Sequence, residues 1–330
     1  MVASPKLLLF ISAVLGNAAA QQLSSRAQEL GLKQTWTAPM PDSPQKGNAG
    51  SYLAQNWGSQ YSGFYGNSDI AFETDPITNN GSQIVMSVLY AQGSYSPSGS
   101  KNNQGSTGGT EFYAQPLGSD SYDAALLSYD LAFASNFDWK LGGKLPGIFG
   151  GSSNNSCSGG NQATGSNCFS MRLMWREAGA GEAYAYIPDN DICGQSNTVC
   201  NDEYGISFSR GVIQFKTNTW TNIELYVKIN DPSESNGVLQ VWQDGNLVIN
   251  QQSLKYRTSN AIAVSNLMFS TFFGGGSSKY ATSVDTFTYY KNLQFSVGNQ
   301  VTLTPSGSVR NVVTYPLLAL AAVAGIFLML

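Results

Sequence analysis

The sequence predicts an all-β protein folded as a β-sandwich or jelly roll, and three observations favour this class. The 330 residues include 35 Gly, 17 Tyr and 16 Phe, a composition that favours strands and turns over helices. Short segments in which apolar and polar residues alternate recur along the chain, as expected for half-buried strands. Glycine-rich turns separate these segments at short spacing, as in sandwiches. Because 42% of the residues are hydrophobic, we expect a packed domain rather than a disordered chain.

The N-terminal residues have the features of a secretory signal peptide. Lys6 supplies one positive charge, residues 7–15 are mostly apolar, and residues 18–20 are alanines that fit a cleavage site. We therefore expect a signal peptide over residues 1–20, with a buried helix as the alternative. No proline-rich or charged linker divides the segment that follows, so residues 21–298 are predicted to form a single domain.

The strands of this domain are predicted from their periodicity. Residues 222–230 are the clearest case, because apolar side chains occupy every second position from Ile223. Asp244-Gly245 between two alternating runs is a strong hairpin signal. One helix is predicted, over residues 22–32. The remaining predicted strands are 127–133, 170–175, 183–187, 212–216, 238–243, 246–250, 263–273 and 286–296.

The C-terminal residues carry a second targeting signal. Residues 312–330 are almost entirely apolar, and no basic residue follows them. Small residues lie upstream, as in a glycosylphosphatidylinositol (GPI) attachment signal. We expect a polar stalk over residues 299–311 with attachment at Ser306, so that the protein is secreted to the cell surface and contacts the membrane only through its anchor. A retained transmembrane helix is the alternative, because the tail is just long enough to span a bilayer.

The cysteines and sequons fit the same extracellular compartment. The 4 Cys are expected to form two disulfides. Three pairings are possible, and we favour the local pairs Cys157–Cys168 and Cys193–Cys200, since each would close a loop rich in Gly, Asn and Ser. Asn80 and Asn154 are predicted glycosylation sites.

The chain contains no histidine, which excludes Ser-His-Asp and Cys-His nucleophilic sites, His-ligated zinc and an imidazole base. Proton transfer must then use carboxylates, lysine, tyrosine or cysteine. The net charge of −4 and the lack of a basic stripe argue against a nucleic-acid partner. We see no metal-ligand cluster and expect neither a metal nor another cofactor. We also expect a monomer.

The few cationic residues form one group in the sequence. Lys140 and Lys144 lie in a glycine-rich segment, and Arg172 and Arg176 lie in and just after a predicted strand. In a chain with a net negative charge and few cations, this group would be the source of a local positive groove. We therefore predict that Lys140 and Arg176 bind substrate.

Two neighbouring predicted strands carry further candidate residues. Residues two apart on a strand share a face, so Ser170 lies beside Arg172, and Tyr184 lies beside Tyr186. If the two strands pair, a hydroxyl, a guanidinium and two phenols line one concave surface. The alternative is that the aromatic side chains only pack and that the arginine is solvated.

Six sequence blocks follow one another in a recognisable order. They are Lys-Leu-Pro-Gly-Ile-Phe-Gly-Gly (144–151), Ser-Met-Arg-Leu-Met-Trp-Arg (170–176), Glu-Ala-Tyr-Ala-Tyr-Ile-Pro (182–188) and the segments 220–230, 236–245 and 272–276. Their order and spacing, over residues 113–296, resemble polysaccharide lyase family 14. The resemblance implies a concanavalin-like β-jelly roll and eliminative cleavage of uronic-acid polymers such as alginate or glucuronan. An insertion at residues 152–167 departs from the family pattern, so the substrate preference does not carry over.

The resemblance also implies five functional residues, Lys144, Ser170, Arg172, Tyr184 and Tyr186. β-Elimination needs a neutralised carboxylate, which Arg172 can provide with a bidentate fork, and Ser170 can hydrogen-bond the substrate. Tyr184 or Tyr186 can serve as base and acid if nearby cations favour the phenolate. Lys144 is the alternative base if it is desolvated.

Two other functions compete with a lyase. A lectin-like cell-surface protein on the same fold would bind carbohydrate without catalysis. A glycoside hydrolase would need paired carboxylates, and the sequence contains no tight acidic cluster on a predicted strand.

Overall fold

The computed structural model describes residues 23–60, 64–101, 107–151, 156–188 and 192–304. The predicted signal peptide, the sequon at Asn154, the attachment residue Ser306 and the apolar tail lie outside these ranges. Within them, none of the helices is both long and apolar enough to cross a membrane.

Two antiparallel sheets pack against each other as a jelly-roll β-sandwich, which confirms the predicted all-β class. In the described residues, the outer sheet contains β1 (Gln34–Thr37), β2 (Gln45–Lys46), β3 (Ile70–Asp75), β4 (Asn80–Tyr90), β6 (Ala124–Phe133), β12 (Thr221–Lys228), β13 (Gly237–Gln243), β14 (Asn246–Leu254) and β16 (Thr286–Val297). The second sheet, called the cleft sheet, contains β5 (Thr110–Ala114), β7 (Gly143–Gly151), β8 (Cys168–Trp175), β9 (Ala180–Tyr186), β10 (Thr198–Val199), β11 (Ile206–Gln214) and β15 (Val264–Phe273).

The strand order places β9, β8 and β7 at the centre of the cleft sheet. That order is β10-β11-β9-β8-β7-β15-β5, whereas the outer sheet runs β14-β13-β12-β6-β16-β4-β3-β2 with β1 beside β16. Side chains of β8 alternate between the two faces. Phe169, Met171 and Leu173 enter the main core between the sheets, so that the residues between them face away from the core.

The predicted hairpin and its neighbouring strand are confirmed. Ile223 and Leu225 of β12 are fully buried in the core between the sheets. β13 and β14 pair antiparallel around Asp244 and Gly245, whose φ angles are 50° and 78°. Two consecutive positive φ values are what a tight hairpin turn with the twist of its strands requires.

The helices differ from the prediction. α1 (Ser25–Glu29) is shorter than the predicted helix, and it covers the outer sheet by packing Ala27 against Tyr226 and Trp242. α2 (Ala49–Trp57) was not predicted, because its sequence has only two large apolar anchors, the buried Leu53 and Trp57. Such a helix is stabilised by tertiary packing rather than by propensity. A third short helix, α3, spans Pro97–Lys101.

β7 was also absent from the predicted strands, because Gly143, Pro146 and Gly147 are typical of a loop. Its ladder with β8 shifts register between Leu145 and Gly147, and a proline inside a sheet is tolerated at such a bulge. A Cβ atom on Gly147 would lie 2.0 Å from the Met171 carbonyl oxygen and 2.8 Å from Arg172 Cγ. The glycine therefore makes room for the arginine of the adjacent strand.

Candidate active site

β8 and β9 bring four of the predicted site residues together on the face of the cleft sheet that points away from the core. Arg172 lies opposite Tyr184, and Ser170 lies opposite Tyr186, which confirms that the two strands pair. On the other side of β8, Lys144 of β7 lies opposite Met174. Three adjacent strands thus supply the side chains of one site.

A cleft crosses this face and has two compartments. Lys144, Tyr184 and Tyr204 contribute to the walls of both compartments, so they mark the boundary between them. Tyr204 is 40% exposed, and a Cβ atom on Gly276 would lie 3.7 Å from its hydroxyl oxygen. Tyr204 therefore reaches across the cleft to the glycine-rich loop on the opposite side.

The two compartments differ in charge. The first, called the arginine compartment, has a volume of about 380 Å³ and is lined by Arg176 and Arg210. The second, called the loop compartment, has a volume of about 400 Å³ and is lined by Glu111 and Ser158. Both volumes lie within the range of about 300–1,000 Å³ that is usual for small-molecule sites.

Lys144 stands at the boundary, where the described residues give it no ion-pair partner. Its Nζ lies 4.3 Å from the centroid of the Tyr184 ring and donates a hydrogen bond of 3.3 Å to Met174 Sδ, a weak acceptor. None of the ion pairs among the described residues involves Lys144. Burial, followed by the positive charges of Arg172 and Arg176, holds the pKa of Lys144 well below its usual range. The neutral amine, which can accept a proton, is therefore more favourable at this position than in an exposed lysine.

The pKa of Tyr184 is shifted in the opposite direction to that of Lys144. Burial, followed by the neighbouring Tyr186, raises the pKa of Tyr184 above its ordinary value, although Arg172 acts in the other direction. The backbone N–H of Gly205 donates a 2.9 Å hydrogen bond to its hydroxyl oxygen. The phenol therefore stays protonated and can donate a proton. The positive charges near Tyr184 do not outweigh its burial, so they do not favour the phenolate that a tyrosine base would need.

Tyr186 is held by the loop between the cysteines of the first disulfide. Its side chain is 2% exposed, and the backbone N–H of Gly160 donates a 3.0 Å hydrogen bond to its hydroxyl oxygen. Its ring packs edge-on against that of Tyr184, with the centroids 5.8 Å apart. Tyr186 thus connects the loop to Tyr184.

The same loop covers Ser170 and Arg172, which are both fully buried. The Ser170 hydroxyl donates a 2.7 Å hydrogen bond to the Cys157 carbonyl oxygen. Arg172 donates from Nη2 to Ser158 Oγ and from Nη1 to Ser270 Oγ, each at 3.1 Å. Direct contact between Arg172 and a substrate carboxylate would first require Ser158 to leave Nη2. In this conformation the guanidinium acts on the cleft through its charge, with its central carbon 6.0 Å from the Tyr184 ring centroid.

The two disulfides are Cys157–Cys168 and Cys193–Cys200, with Cα–Cα distances of 5.8 Å and 5.6 Å. The predicted local pairing is therefore confirmed. Cys157 belongs to the loop over Ser170, and Cys200 lines the arginine compartment. Each disulfide fixes one border of the cleft. The described part of the predicted insertion, residues 156–167, is the loop that the first disulfide closes.

Sequence reasoning missed the residue that organises the arginine compartment. Glu182 is fully buried and forms ion pairs with Arg176 and Arg210. It also accepts a 2.9 Å hydrogen bond from the Ser207 hydroxyl. Glu182 lies two residues before Tyr184 on β9, so strand alternation could have placed it on the same face. Arg210 lies where the pairing of β11 with β9 shifts register, and no local sequence pattern predicts this shift.

Lys140 lies apart from these residues. Its Nζ pairs with Asp138 at 3.0 Å, and it lines a separate cavity together with Glu177 and Lys279. The sequon residue Asn80 is exposed at the start of β4. In the described part of the chain, no group of three or more His, Cys, Asp or Glu side chains could hold a metal ion.

The glycine-rich loop after β15 is shaped by its neighbours in the cleft. A Cβ atom on Gly274 would lie 3.6 Å from Lys144 Nζ. Gly275 has a φ of +149°, and a Cβ atom there would lie 2.2 Å from the Tyr280 ring. The glycines thus allow the backbone to pass close to Lys144 without filling the cleft.

The chain is similar to known polysaccharide lyases in sequence and in fold. The family model Polysaccharide lyase 14 matches residues 78–293, which is more than half of the chain. The marine PL-14 alginate lyase from Aplysia kurodai is 32% identical, with a TM-score of 0.66 over 79% of this chain and 99% of that chain. Alginate lyase Aly36B, in a mutant complex with alginate trisaccharide, shares the fold at 21% identity and a TM-score of 0.60, over 80% of this chain and 98% of that chain.

A viral protein gives a further match. Exolysin of Paramecium bursaria Chlorella virus 1 is 27% identical over an alignment of 206 residues, and the match covers 53% of this chain and 29% of Exolysin. The chain therefore spans less than a third of that relative. Together, these matches confirm the resemblance that the six sequence blocks indicated.

Proposed function

Because the chain belongs to polysaccharide lyase family 14, we propose that it cleaves a uronic-acid polymer, such as glucuronan or an alginate-like chain, by β-elimination. The proposal depends on one observation above all: a half-buried lysine, which has no ion-pair partner among the described residues, lies over the ring of a tyrosine in an open cleft. A base beside an acid is what elimination requires, and both lie in a cavity of suitable size for a sugar.

In the proposed step, neutral Lys144 takes the proton from C5 of the uronate. The C5–H electrons form the C4–C5 double bond, and the C4–O4 bond breaks. Tyr184 gives its phenolic proton to the departing O4. The proton on Lys144 then returns through solvent to the Tyr184 phenolate, so that the enzyme is regenerated. General acid and base catalysis of this kind contributes about 10²- to 10⁴-fold each.

Negative charge develops on the uronate carboxylate as C5 loses its proton. The positive charge of Arg172 lies beneath Tyr184 and acts through a water-excluded environment, where electrostatic stabilisation is strong. Ser158, Ser270 and Glu111 fix the position of this guanidinium. We assign Arg172 to stabilisation of that charge and Tyr186 to the positioning of Tyr184.

We propose further that the protein acts outside the cell. Two disulfides are typical of an oxidising compartment. An extracellular location would give the cleft access to a polymer that cannot enter a cell. Purification of the mature protein from the culture medium or the cell surface, followed by mass spectrometry of both termini, tests this location.

The test of the proposed reaction is to incubate the purified protein with glucuronan, alginate and a neutral glucan. We expect ultraviolet absorbance from the unsaturated product with a polyuronate and none with the glucan. Tyr184→Phe keeps the ring under Lys144 and should lower kcat about 100-fold, at the low end for a general acid. Reducing ends without ultraviolet absorbance would instead indicate a hydrolase, and binding without either product would indicate a lectin.

A further inference from the structure

The arginine compartment contains a charged group to which the proposed elimination assigns no contact with the substrate. Arg176 and Arg210 both pair with Glu182, and Ser207 donates to the same carboxylate. Two cations share one anion, so the cluster keeps one net positive charge. Since Glu182 is fully buried, the excess charge is presented by the arginines, which line the cleft.

The hydrogen-bonding capacity of the two arginines is only partly used. The Arg210 side chain is 46% exposed although it is paired, and it contacts Glu182 through Nε and Ser207 through Nη2. Arg176 contacts Glu182 through Nη2, and it lines the arginine compartment beside Arg210. A guanidinium has five N–H donors. Donors therefore remain for an anion in the compartment.

The position of this cluster relative to Lys144 indicates which anion it would bind. Lys144, Met174 and Glu182 lie in one row across β7, β8 and β9. Neighbouring strands are about 4.8 Å apart, so Glu182 lies about 10 Å from Lys144 along the row. That distance is too long for the carboxylate of the sugar whose C5 proton Lys144 takes, since that carboxylate is attached to C5 itself. It suits a group on the adjacent sugar.

The loop compartment on the other side of Lys144 has no equivalent group. Of the described residues that line it, Lys144 itself is the one lysine or arginine, and Glu111 contributes a carboxylate. A sugar there would meet hydroxyl groups, such as that of Ser158, instead of arginines. The charge of the cleft is therefore asymmetric about Lys144.

We infer that Arg176 and Arg210, oriented by Glu182, form a second carboxylate-binding subsite, so that the sugar next to the one that loses its C5 proton must also be a uronate. The inference rests on the proposed function for the identity of the polymer. Arg176 and Arg210 are substrate-binding residues in this account, and Glu182 is a positioning residue.

The test measures binding in a chain that cannot turn over the ligand. Calorimetric titration with a saturated oligouronate gives the Kd of the Lys144→Met variant. Adding Arg210→Ala to this variant should raise the Kd about 10-fold, the low end for a hydrogen bond to a charged group. Arg210→Lys should raise it less, because the charge is kept and the fork is lost. Lys228→Ala, which removes one exposed charge from β12 of the outer sheet, is the matched control and should leave the Kd unchanged.

Two outcomes would overturn the subsite. One is an equal Kd for the Arg210→Ala and Lys228→Ala chains. The other is that Arg210→Ala weakens the binding of an oligomer whose carboxyl groups have been reduced to alcohols as much as it weakens the binding of the oligouronate. That result would show a structural effect of the substitution rather than carboxylate recognition. Failure of the proposed elimination would be distinguishable, because it would appear as absent unsaturated product while binding and its dependence on Arg210 persisted. In the active enzyme we expect Arg210→Ala to raise KM and to leave kcat nearly unchanged.

Discussion

Two lysines, one on each sheet, lie over aromatic rings but have opposite surroundings. Lys291 on β16 of the outer sheet has its Nζ 4.1 Å from the centroid of the Trp220 ring and 3.0 Å from Asp75 Oδ2. It also donates a 3.1 Å hydrogen bond to Gln83. Lys144 lies at a similar distance from the Tyr184 ring, but its polar contact is a thioether, and the positive charges of Arg172 and Arg176 outweigh the negative charges of Glu182 and Glu111 near it.

The difference separates a lysine with a structural role from the lysine that we propose as the base. A buried cation is stabilised when a carboxylate and further hydrogen-bond partners compensate for its lost hydration. Lys291 has this compensation, and Asp75 benefits in turn. Lys144 lacks it, so that the protein gives up electrostatic stability in order to keep a neutral amine beside the cleft.

The largest expected effect is the loss of activity in Lys144→Met. The substitution keeps an apolar stem of similar length and removes the base, so kcat should fall about 10²- to 10⁴-fold. Because no carboxylate loses a partner, the free energy of unfolding should stay the same or increase. The rate of unsaturated-product formation and chemical denaturation of the same preparation check both expectations. A variant with more than a tenth of the original rate would exclude Lys144 as the base.

The reverse pattern is expected for Lys291→Met. Removing the ammonium leaves Asp75 buried without its cationic partner, and breaking such a pair costs about 3 kcal/mol of unfolding free energy. The activity of the folded fraction should not change, since Lys291 lies on the opposite sheet. Urea denaturation at neutral pH measures the cost. Unchanged stability would mean that the ion pair on the outer sheet contributes nothing, and the comparison between the two lysines would then fail.

A smaller effect on the free energy of unfolding is expected from protonation of Asp75 at acidic pH. Hydrogen bonds from Thr78, Lys291 and Ile77 outweigh burial and lower the pKa of Asp75 from 3.8 to about 2. Because the native pKa lies below the unfolded one, the ionised carboxylate contributes about 2 kcal/mol above pH 4, and this contribution is lost as the pH falls towards 2.

Asp75→Asn isolates this contribution. The stability difference between the original protein and the variant should shrink by about 1 kcal/mol between pH 5 and pH 3. Denaturation curves of both proteins at the two pH values provide the measurement. A difference that is independent of pH would show that the Asp75 carboxylate has the same pKa in the folded and unfolded states.

The sequence allowed the prediction of strands with regular alternation, such as β12 and the hairpin around Asp244 and Gly245, because local pattern and tertiary burial agree there. It did not allow the prediction of β7, whose glycines and proline are explained by contacts with β8. α2 was missed for a similar reason, since its helical state depends on the packing of Leu53 and Trp57. Elements that neighbouring elements stabilise have no clear local signal.

The site also combines features that follow from local sequence pattern with features that depend on tertiary contacts. Strand periodicity and family resemblance together predicted Lys144, Arg172 and Tyr184 as site residues, and the strand register brings these three residues together. Neither could show that residues 156–167 fold over Arg172, because the cover depends on tertiary hydrogen bonds such as the one to Ser158. Likewise, the balance between burial and nearby cations at Tyr184 is a property of the folded cleft and not of the sequence pattern.

The most direct test of the central claim is an NMR titration of lysine side chains in protein labelled at the lysine ε carbon. The Lys144 resonance is assigned by its absence from the spectrum of Lys144→Met. We expect this resonance to titrate well below the exposed lysines, because burial and the charges of Arg172 and Arg176, which outweigh the opposing charges of Glu182 and Glu111, disfavour the ammonium form. A Lys144 resonance that titrates together with those of the exposed lysines would contradict the assignment of Lys144 as the base.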